Sequence, residues 1–200
     1  MGKIIVSENI TLDGRFADPM GDEGSGGGGW FARTQEADRA AFAELSRQEA
    51  LGAEALLLGR RTCGWFAERW PERAGDWADK LNGMPKYVVS TSSDDPGWTN
   101  TTVLNGDVVE AVEKLRQAVD GEIFVYGSGR LVRTLLDHDL VDELRLFTYP
   151  LVLGAGEHLL SGSGISSAKP LNLVSVRTVG EGLVVLTYRP SGERRTGAAG

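Results

Sequence analysis

The sequence predicts an α/β fold: a single domain with a mostly parallel central sheet, helices on both faces and antiparallel strands at the C-terminal end. Three observations carry this. Short apolar runs alternate with segments of helical periodicity along most of the chain. Several of those runs stop at glycine, hydroxyl or arginine residues and pass at once into a helix. The last two extended runs are joined by Gly180-Glu181-Gly182, a hairpin signal. A length of 200 residues with 41% apolar content suits one such domain.

Residues 3–7 read as the first strand. A helix runs from 34 or 35 to about 51, with Phe42, Leu45, Glu49 and Ala50 at helical spacing. Residues 53–58 form the second strand and 61–69 the next helix. Strands three and four are 87–90 and 101–104, separated by the turn-rich segment 92–97. Asp107 caps a helix to about 119 whose apolar stripe is Val108, Val109, Val112, Leu115 and Val119. Strand five, 123–126, feeds a helix over 129–136, and 143–149 is strand six. Extended runs at 171–179 and 183–189 complete a domain spanning 1–190. Residues 191–200, polar and rich in Gly and Ala, are expected to be a disordered tail.

A net charge of −7 argues against a general nucleic-acid surface, because neutralising phosphates needs Lys and Arg clustered over a wide face. A local basic pocket stays allowed. Cys63 is the only cysteine, which excludes an internal disulfide and a cysteine-based metal site. Inside its helix it reads as a buried structural thiol. The chain opens directly on a strand-like run without a leader-type apolar core, and no stretch approaches the roughly 20 apolar residues of a membrane span. A cytoplasmic protein is expected. His138, at a polar helix end, and His158, after a glycine-rich loop, are not spaced as a metal pair.

The candidate site begins at Ala55-Leu56-Leu57-Leu58-Gly59-Arg60-Arg61-Thr62. An apolar strand breaks at glycine and passes into two arginines and a hydroxyl residue that open a helix, which gathers backbone N–H groups, the positive end of a helix dipole and two guanidinium groups. That combination suits phosphate. Two further strands end alike: 86–89 runs into Ser90-Thr91-Ser92, and 122–126 into Gly127-Ser128-Gly129-Arg130-Leu131. Open α/β sheets bind ligands at the carboxyl ends of their strands, so the three endings point to one crevice.

Thr11-Leu12-Asp13-Gly14, Gly59-Arg60-Arg61-Thr62, Val89-Ser90-Thr91-Ser92, Gly127-Ser128-Gly129, Leu140-Val141-Asp142-Glu143-Leu144 and Pro150-Leu151-Val152-Leu153-Gly154-Ala155-Gly156 follow one another in an order that resembles the dihydrofolate reductase superfamily. The branch it resembles most includes the reductase domain of bifunctional riboflavin-biosynthesis proteins, and the resemblance covers roughly residues 1–190. It implies hydride transfer from a nicotinamide cofactor to a small heterocyclic (pterin or pyrimidine-like) or carbonyl substrate, with no metal needed.

Arg60, Arg61, Ser90, Thr91 and Ser92 offer the donors that a 2′-phosphate requires, which favours NADPH over NADH. By resemblance, Gly59 and Thr62 meet the pyrophosphate side, and Gly127, Ser128, Gly129, Arg130 and Leu131 approach the pyrophosphate and the nicotinamide-proximal half. Asp13 is the first candidate for the proton-supplying acid, with a plain Asp-Gly turn as the competing reading. Glu36 and Asp38 are weaker alternatives, explained as well by the helix dipole. Phe16, Trp30 and Gly154 are placed on the substrate side. The resemblance also implies a homodimer, supported by apolar runs near an exposed C-terminal hairpin.

The run 21–29 holds six glycines but neither follows a strand into a helix nor ends in Gly-Lys, so it is no phosphate-binding loop. It reads either as a linker or as a flap over the active site anchored by Trp30 and Phe31. Trp65 and Phe66, at helical spacing, read as packing residues, with Trp70 and Trp77 as further cover for the crevice. No deaminase-type zinc motif accompanies the reductase-like segment. The reading from another class is a non-catalytic nucleotide-binding protein that keeps the crevice.

Overall fold

Strand β1 (Lys3–Thr11) lies inside an eight-stranded sheet in the computed structural model, which describes residues 1–24, 26–92, 94, 97–161 and 164–191. Along the chain follow α1 (Glu36–Gly52), β2 (Ala55–Gly59), α2 (Arg60–Ala67), α3 (Asp76–Gly83), β3 (Lys86–Val89), β4 (Thr101–Leu104), α4 (Val108–Ala118), β5 (Glu122–Tyr126), α5 (Gly129–Asp137), β6 (Glu143–Tyr149), β7 (Leu171–Val179) and β8 (Leu183–Pro190). The strand order is β4-β3-β2-β5-β1-β6-β8-β7. Every pair from β4 to β6 is parallel, and β8 runs antiparallel to both β6 and β7. The tail expected at 191–200 lies, beyond Ser191, outside the described residues.

Parallel strands buried on both faces need apolar side chains in both directions, and the two sheet faces carry separate cores. On one face Ile4, Val6, Leu57, Ile123 and Val125 pack under α4 and α5, whose stripes include Val112, Leu115, Leu131, Val132 and Leu135. On the other, Ile5, Leu56, Leu58, Val88 and Phe124 meet Cys63 of α2 and Ala78 and Leu81 of α3. Burying each such Leu or Ile stabilises the fold by about 1.5–3 kcal/mol. A third cluster, Trp30, Phe147, Tyr149, Leu183 and Val185, fills the space beneath Phe42 and Leu45 of α1.

Strand β1 continues four residues past the predicted end because its pairing with β6 runs on to Thr11 opposite Tyr149. Helix α3 was not anticipated. It is eight residues long, begins after Gly75 and ends at Gly83. Buried Lys86 donates to the carbonyls of Asn82, Met84 and Thr99 at 2.8, 2.9 and 2.9 Å and lies over the Trp98 ring, joining α3 to the β3–β4 edge. Asp107 caps α4 as expected, accepting from the Glu110 amide at 2.9 Å. Among the described residues no helix is long and apolar enough to cross a membrane.

Asp38, fully buried in the first turn of α1, accepts the amides of Glu181, Gly182 and Leu183 on Oδ1 at 2.8, 2.9 and 3.1 Å. This fixes the β7–β8 turn, where Gly180 adopts φ +61°. A side chain on Gly180 would run into Asp38. Glu36, in the same helical turn, is exposed.

Candidate active site

A cleft of about 380 Å³ opens where β1 and β5 end and α2 begins. Its walls are largely aromatic: Phe31 and Phe42 on one side, Trp65 and Phe66 of α2, then Trp70 and Trp77. Phe66 stacks on Trp70 at 6.0 Å and on Tyr126 at 6.4 Å, so the residues read as packing also form the cleft surface. Ser7, Glu8, Asn9, Ser46, Thr62 and Tyr126 are among its polar groups, and Asp18, Asp22, Glu23, Arg39, Arg61 and Arg73 add charged ones. A second concavity, of about 470 Å³, lies against β7, β8 and α1. Four of its charges answer one another: Glu143 holds Arg145 at 2.6 Å and Arg189 at 2.9 Å, and Arg145 reaches Glu49 at 3.1 Å.

The strand–helix junctions after β2 and β5 interlock at the cleft. The Gly59 amide donates to Ser128 Oγ at 2.9 Å, and the Ser128 amide donates to Thr62 Oγ1 at 3.0 Å. Gly127 has φ +56°, and a Cβ there would stand 3.1 Å from Thr62. Thr62, Gly127 and Ser128 border the cleft directly. Arg60 donates to the Asp94 carbonyl at 2.6 Å, and Ser92 Oγ to the Asp94 carboxylate at 2.6 Å, while Ser90 Oγ accepts the Ser92 amide at 3.0 Å. The endings of β2 and β3 therefore meet around Asp94, with Thr91 exposed beside them. Arg61, mostly exposed, pairs with Glu23 at 3.2 Å. Arg130 is exposed at the start of α5, whereas Leu131 is buried in the core and offers a ligand only its backbone.

Asp13 does not border the cleft. Its carboxylate accepts from Thr11 Oγ1 at 2.6 Å and from the amides of Leu153 and Gly154 at 3.2 and 2.9 Å. The Thr11 hydroxyl first, and then the Gly154 amide, hold this carboxyl well below the usual carboxylate range. Asp13 thus keeps the 153–156 loop in place, and Arg15 joins in through the Gly156 carbonyl. That loop abuts the glycine-rich segment, since Gly156 packs closely on the Gly26 carbonyl and Gly27 on the Ala155 carbonyl. Gly154, at φ +71°, lies away from the cleft lining.

The described part of 21–29 is folded down over α2. The amides of Gly21 and Gly29 both donate to the Asp18 carbonyl, at 3.1 and 2.9 Å, closing the loop at its neck. Asp22 pairs with Arg69 and accepts from Trp65 Nε1 at 3.2 Å. Trp30 is fully buried with its ring 5.6 Å from Tyr149, and its Nε1 donates to the Ala17 carbonyl. It anchors the loop from below, and the residue that reaches the cleft is its neighbour Phe31. Phe16 does line the cleft, pressed so closely on Gly129 that no side chain fits there. Carboxylate oxygens of Asp18, Asp22 and Glu23 come within 4.8 Å of one another at this rim, where arginines already engage two of them.

Glu8, Asn9 and Tyr126 were not singled out in the sequence. Glu8 Oε1, Asn9 Oδ1 and the Tyr126 hydroxyl are buried without a hydrogen-bond partner, which costs stability unless a ligand or water answers them. The signal was present: Ser7-Glu8-Asn9 interrupts the apolar run of a central strand. Neither His138 nor His158 borders the cleft.

A parallel sheet in this order, closed by an antiparallel pair and cleft at the ends of its first and fifth strands, defines a dihydrofolate-reductase-like α/β domain. The model of the RibD C-terminal domain family matches residues 2–185, and the chain belongs to that family. It is 27% identical over 144 residues to the uncharacterized protein YyaP of Bacillus subtilis, covering 70% of this chain and 75% of that one. A protein from Shewanella sp. PV-4 described as a riboflavin biosynthesis protein superposes with a TM-score of 0.73 at 22% identity, over 95% of this chain and 99% of the other. Dihydrofolate reductase from Enterococcus faecalis, solved with NADP(H), gives 0.62 at 15% identity over 95% and 97%.

Proposed function

We propose that the protein is an NADPH-dependent reductase that adds hydride to a small aromatic heterocycle, pterin or pyrimidine-like, or to a carbonyl compound. The interlocked Gly59–Thr62 and Gly127–Ser128 junctions beside an aromatic cleft carry this reading. The donor set suits the cofactor: glycines leave room for close approach, α2 and α5 start there, Arg61 borders the cleft, and Arg60, Ser90, Thr91 and Ser92 add cationic and hydroxyl groups at the ends of β2 and β3. The bound cofactor supplies the hydride. The chain's own part is to hold the acceptor between Phe31, Phe42, Phe66 and Trp77, to keep water out with the 17–30 loop, and to place a proton near the reacting bond.

In this reading Asp13 is a positioning residue that acts through the 153–156 loop on the loop covering the cleft. A homodimer forms through β7, whose outer edge has no strand beside it among the described residues and whose Leu173, Val174 and Val176 are exposed. The deciding experiment follows NADPH oxidation by the protein over pterins, aminopyrimidines, quinones and aldehydes, beside calorimetric titration of NADPH. Turnover with any of them supports the reductase. Tight NADPH binding with no turnover favours the non-catalytic nucleotide-binding reading, and no binding rejects both.

A further inference from the structure

Glu8 occupies an unusual place for a carboxyl group. It is 4% exposed in a central strand, yet it borders the cleft, beside Gly127 and Ser128 at the end of the neighbouring strand β5. Its partner across β6 is Leu146, and the pairs on either side of the same face are Val6 with Leu144 and Ile10 with Thr148. None of these is charged. Thr148 Oγ1 is itself buried without a partner, as is Glu8 Oε1. Burial pushes the Glu8 carboxyl well above the ordinary carboxylate range, which favours its protonated form.

The other carboxyl groups near the cleft are engaged differently, and Asp18, which also borders it, accepts the Glu23 amide at 3.1 Å. Asp13 is saturated by a hydroxyl and two amides, Asp22 faces Arg69, Glu23 faces Arg61, and Glu49 accepts from Ser7 and Arg145. Each of these carboxyl groups already has a hydrogen-bond or ion-pair partner of its own.

We propose that Glu8 is the proton donor of the reductive step, a role that rests on the hydride-transfer reading above. Hydride from the reduced nicotinamide adds to the carbon of a C=N or C=O bond, and the π electron pair moves onto the heteroatom. That atom takes the Glu8 proton, the oxidised nicotinamide leaves with the product, and the carboxylate regains its proton from water entering the opened cleft.

The test uses Glu8→Gln, which keeps the size and one hydrogen-bonding edge of the side chain, and Glu8→Asp. Infrared difference spectra between unliganded and NADPH-bound protein should show a protonated-carboxyl band in the wild type that is missing in Glu8→Gln. NADPH affinity by fluorescence titration should be unchanged in both variants. Reduction of whichever pterin, aminopyrimidine, quinone or aldehyde the wild type accepts should slow about 10²–10⁴-fold in Glu8→Gln and recover in part in Glu8→Asp. Wild-type turnover in Glu8→Gln, or the same infrared band in that variant, overturns the donor role alone. Failure of the wild type to oxidise NADPH with every compound overturns the hydride-transfer reading and the donor role with it.

Discussion

The backbone amide of Ser128 donates to the hydroxyl of Thr62 across 66 residues of sequence, so the start of α5 is set by a side chain in the first turn of α2. Thr62→Val keeps the shape and removes the acceptor. The unanswered amide should cost about 1–3 kcal/mol in urea unfolding, and the slackened junction should weaken NADPH binding by roughly tenfold. Unchanged values in both measurements would separate the junction from the cofactor site.

Cofactor choice is expected to depend on Arg61, whose present partner is the loop residue Glu23. Wild-type protein should bind NADPH more tightly than NADH, and Arg61→Ala should erase about 1.5–3 kcal/mol of that preference, or roughly ten- to a hundred-fold. Equal affinities for the two cofactors in wild-type calorimetry would reject the assignment.

Gly129 has no room for a side chain because Phe16 lies against it. Gly129→Ala should lower stability by about 1–3 kcal/mol through overpacking, and adding Phe16→Leu should return part of the loss. A pair of changes whose effects simply add would place Phe16 away from that contact.

Asp38 should matter most near neutral pH and least in acid. Burial alone would raise its carboxyl, but the Gly182, Glu181 and Leu183 amides together hold it below its ordinary 3.8. Its contribution is therefore full above pH 3.8 and is lost as pH falls through the lower folded-state value. Asp38→Ala strands three amides and should cost about 3 kcal/mol at pH 7, a drop of roughly 6–12 °C in melting temperature, with a smaller penalty towards pH 3. An acid-unfolding curve identical to the wild type would contradict this.

The β7 edge is expected to join two copies of the chain. Light scattering at micromolar concentration should give a dimer, and Val174→Lys with Val176→Glu should shift it to monomer with little change in the far-UV spectrum. A monomeric wild type would leave β7 an open edge.

The sheet was readable because its strands are apolar runs bounded by glycine and hydroxyl residues, and β4, β6 and β7 were placed to the residue. The fold class followed from the alternation of apolar runs with helical segments, and the structure joins Gly59, Thr62 and Ser128 by hydrogen bonds beside Gly127. The roles of single side chains were harder to read. Whether Asp13 faces a cleft or a loop depends on where residues 153–154 arrive, 140 positions away, and no local pattern encodes that. Trp30 offered the same ambiguity, since a large aromatic after glycines suits a pocket and a core alike. Glu8 escaped notice because the polar break Ser7-Glu8-Asn9 does not announce which face of the strand borders a cleft.

The position of β1 also governs how the chain is made. The Ile4 amide donates to Asp142, 138 residues downstream, and β1 pairs with nothing earlier than β5. At about 5–20 residues per second, a ribosome needs roughly 7–28 s to deliver that partner. Until β5 emerges, the first strand is a finished but unpaired ribbon rich in apolar residues, the kind of segment that chaperones hold and that aggregates form around. The polar break at Ser7-Glu8-Asn9 falls inside this ribbon, so the residues that shape the cleft also keep the nascent strand from being uniformly sticky.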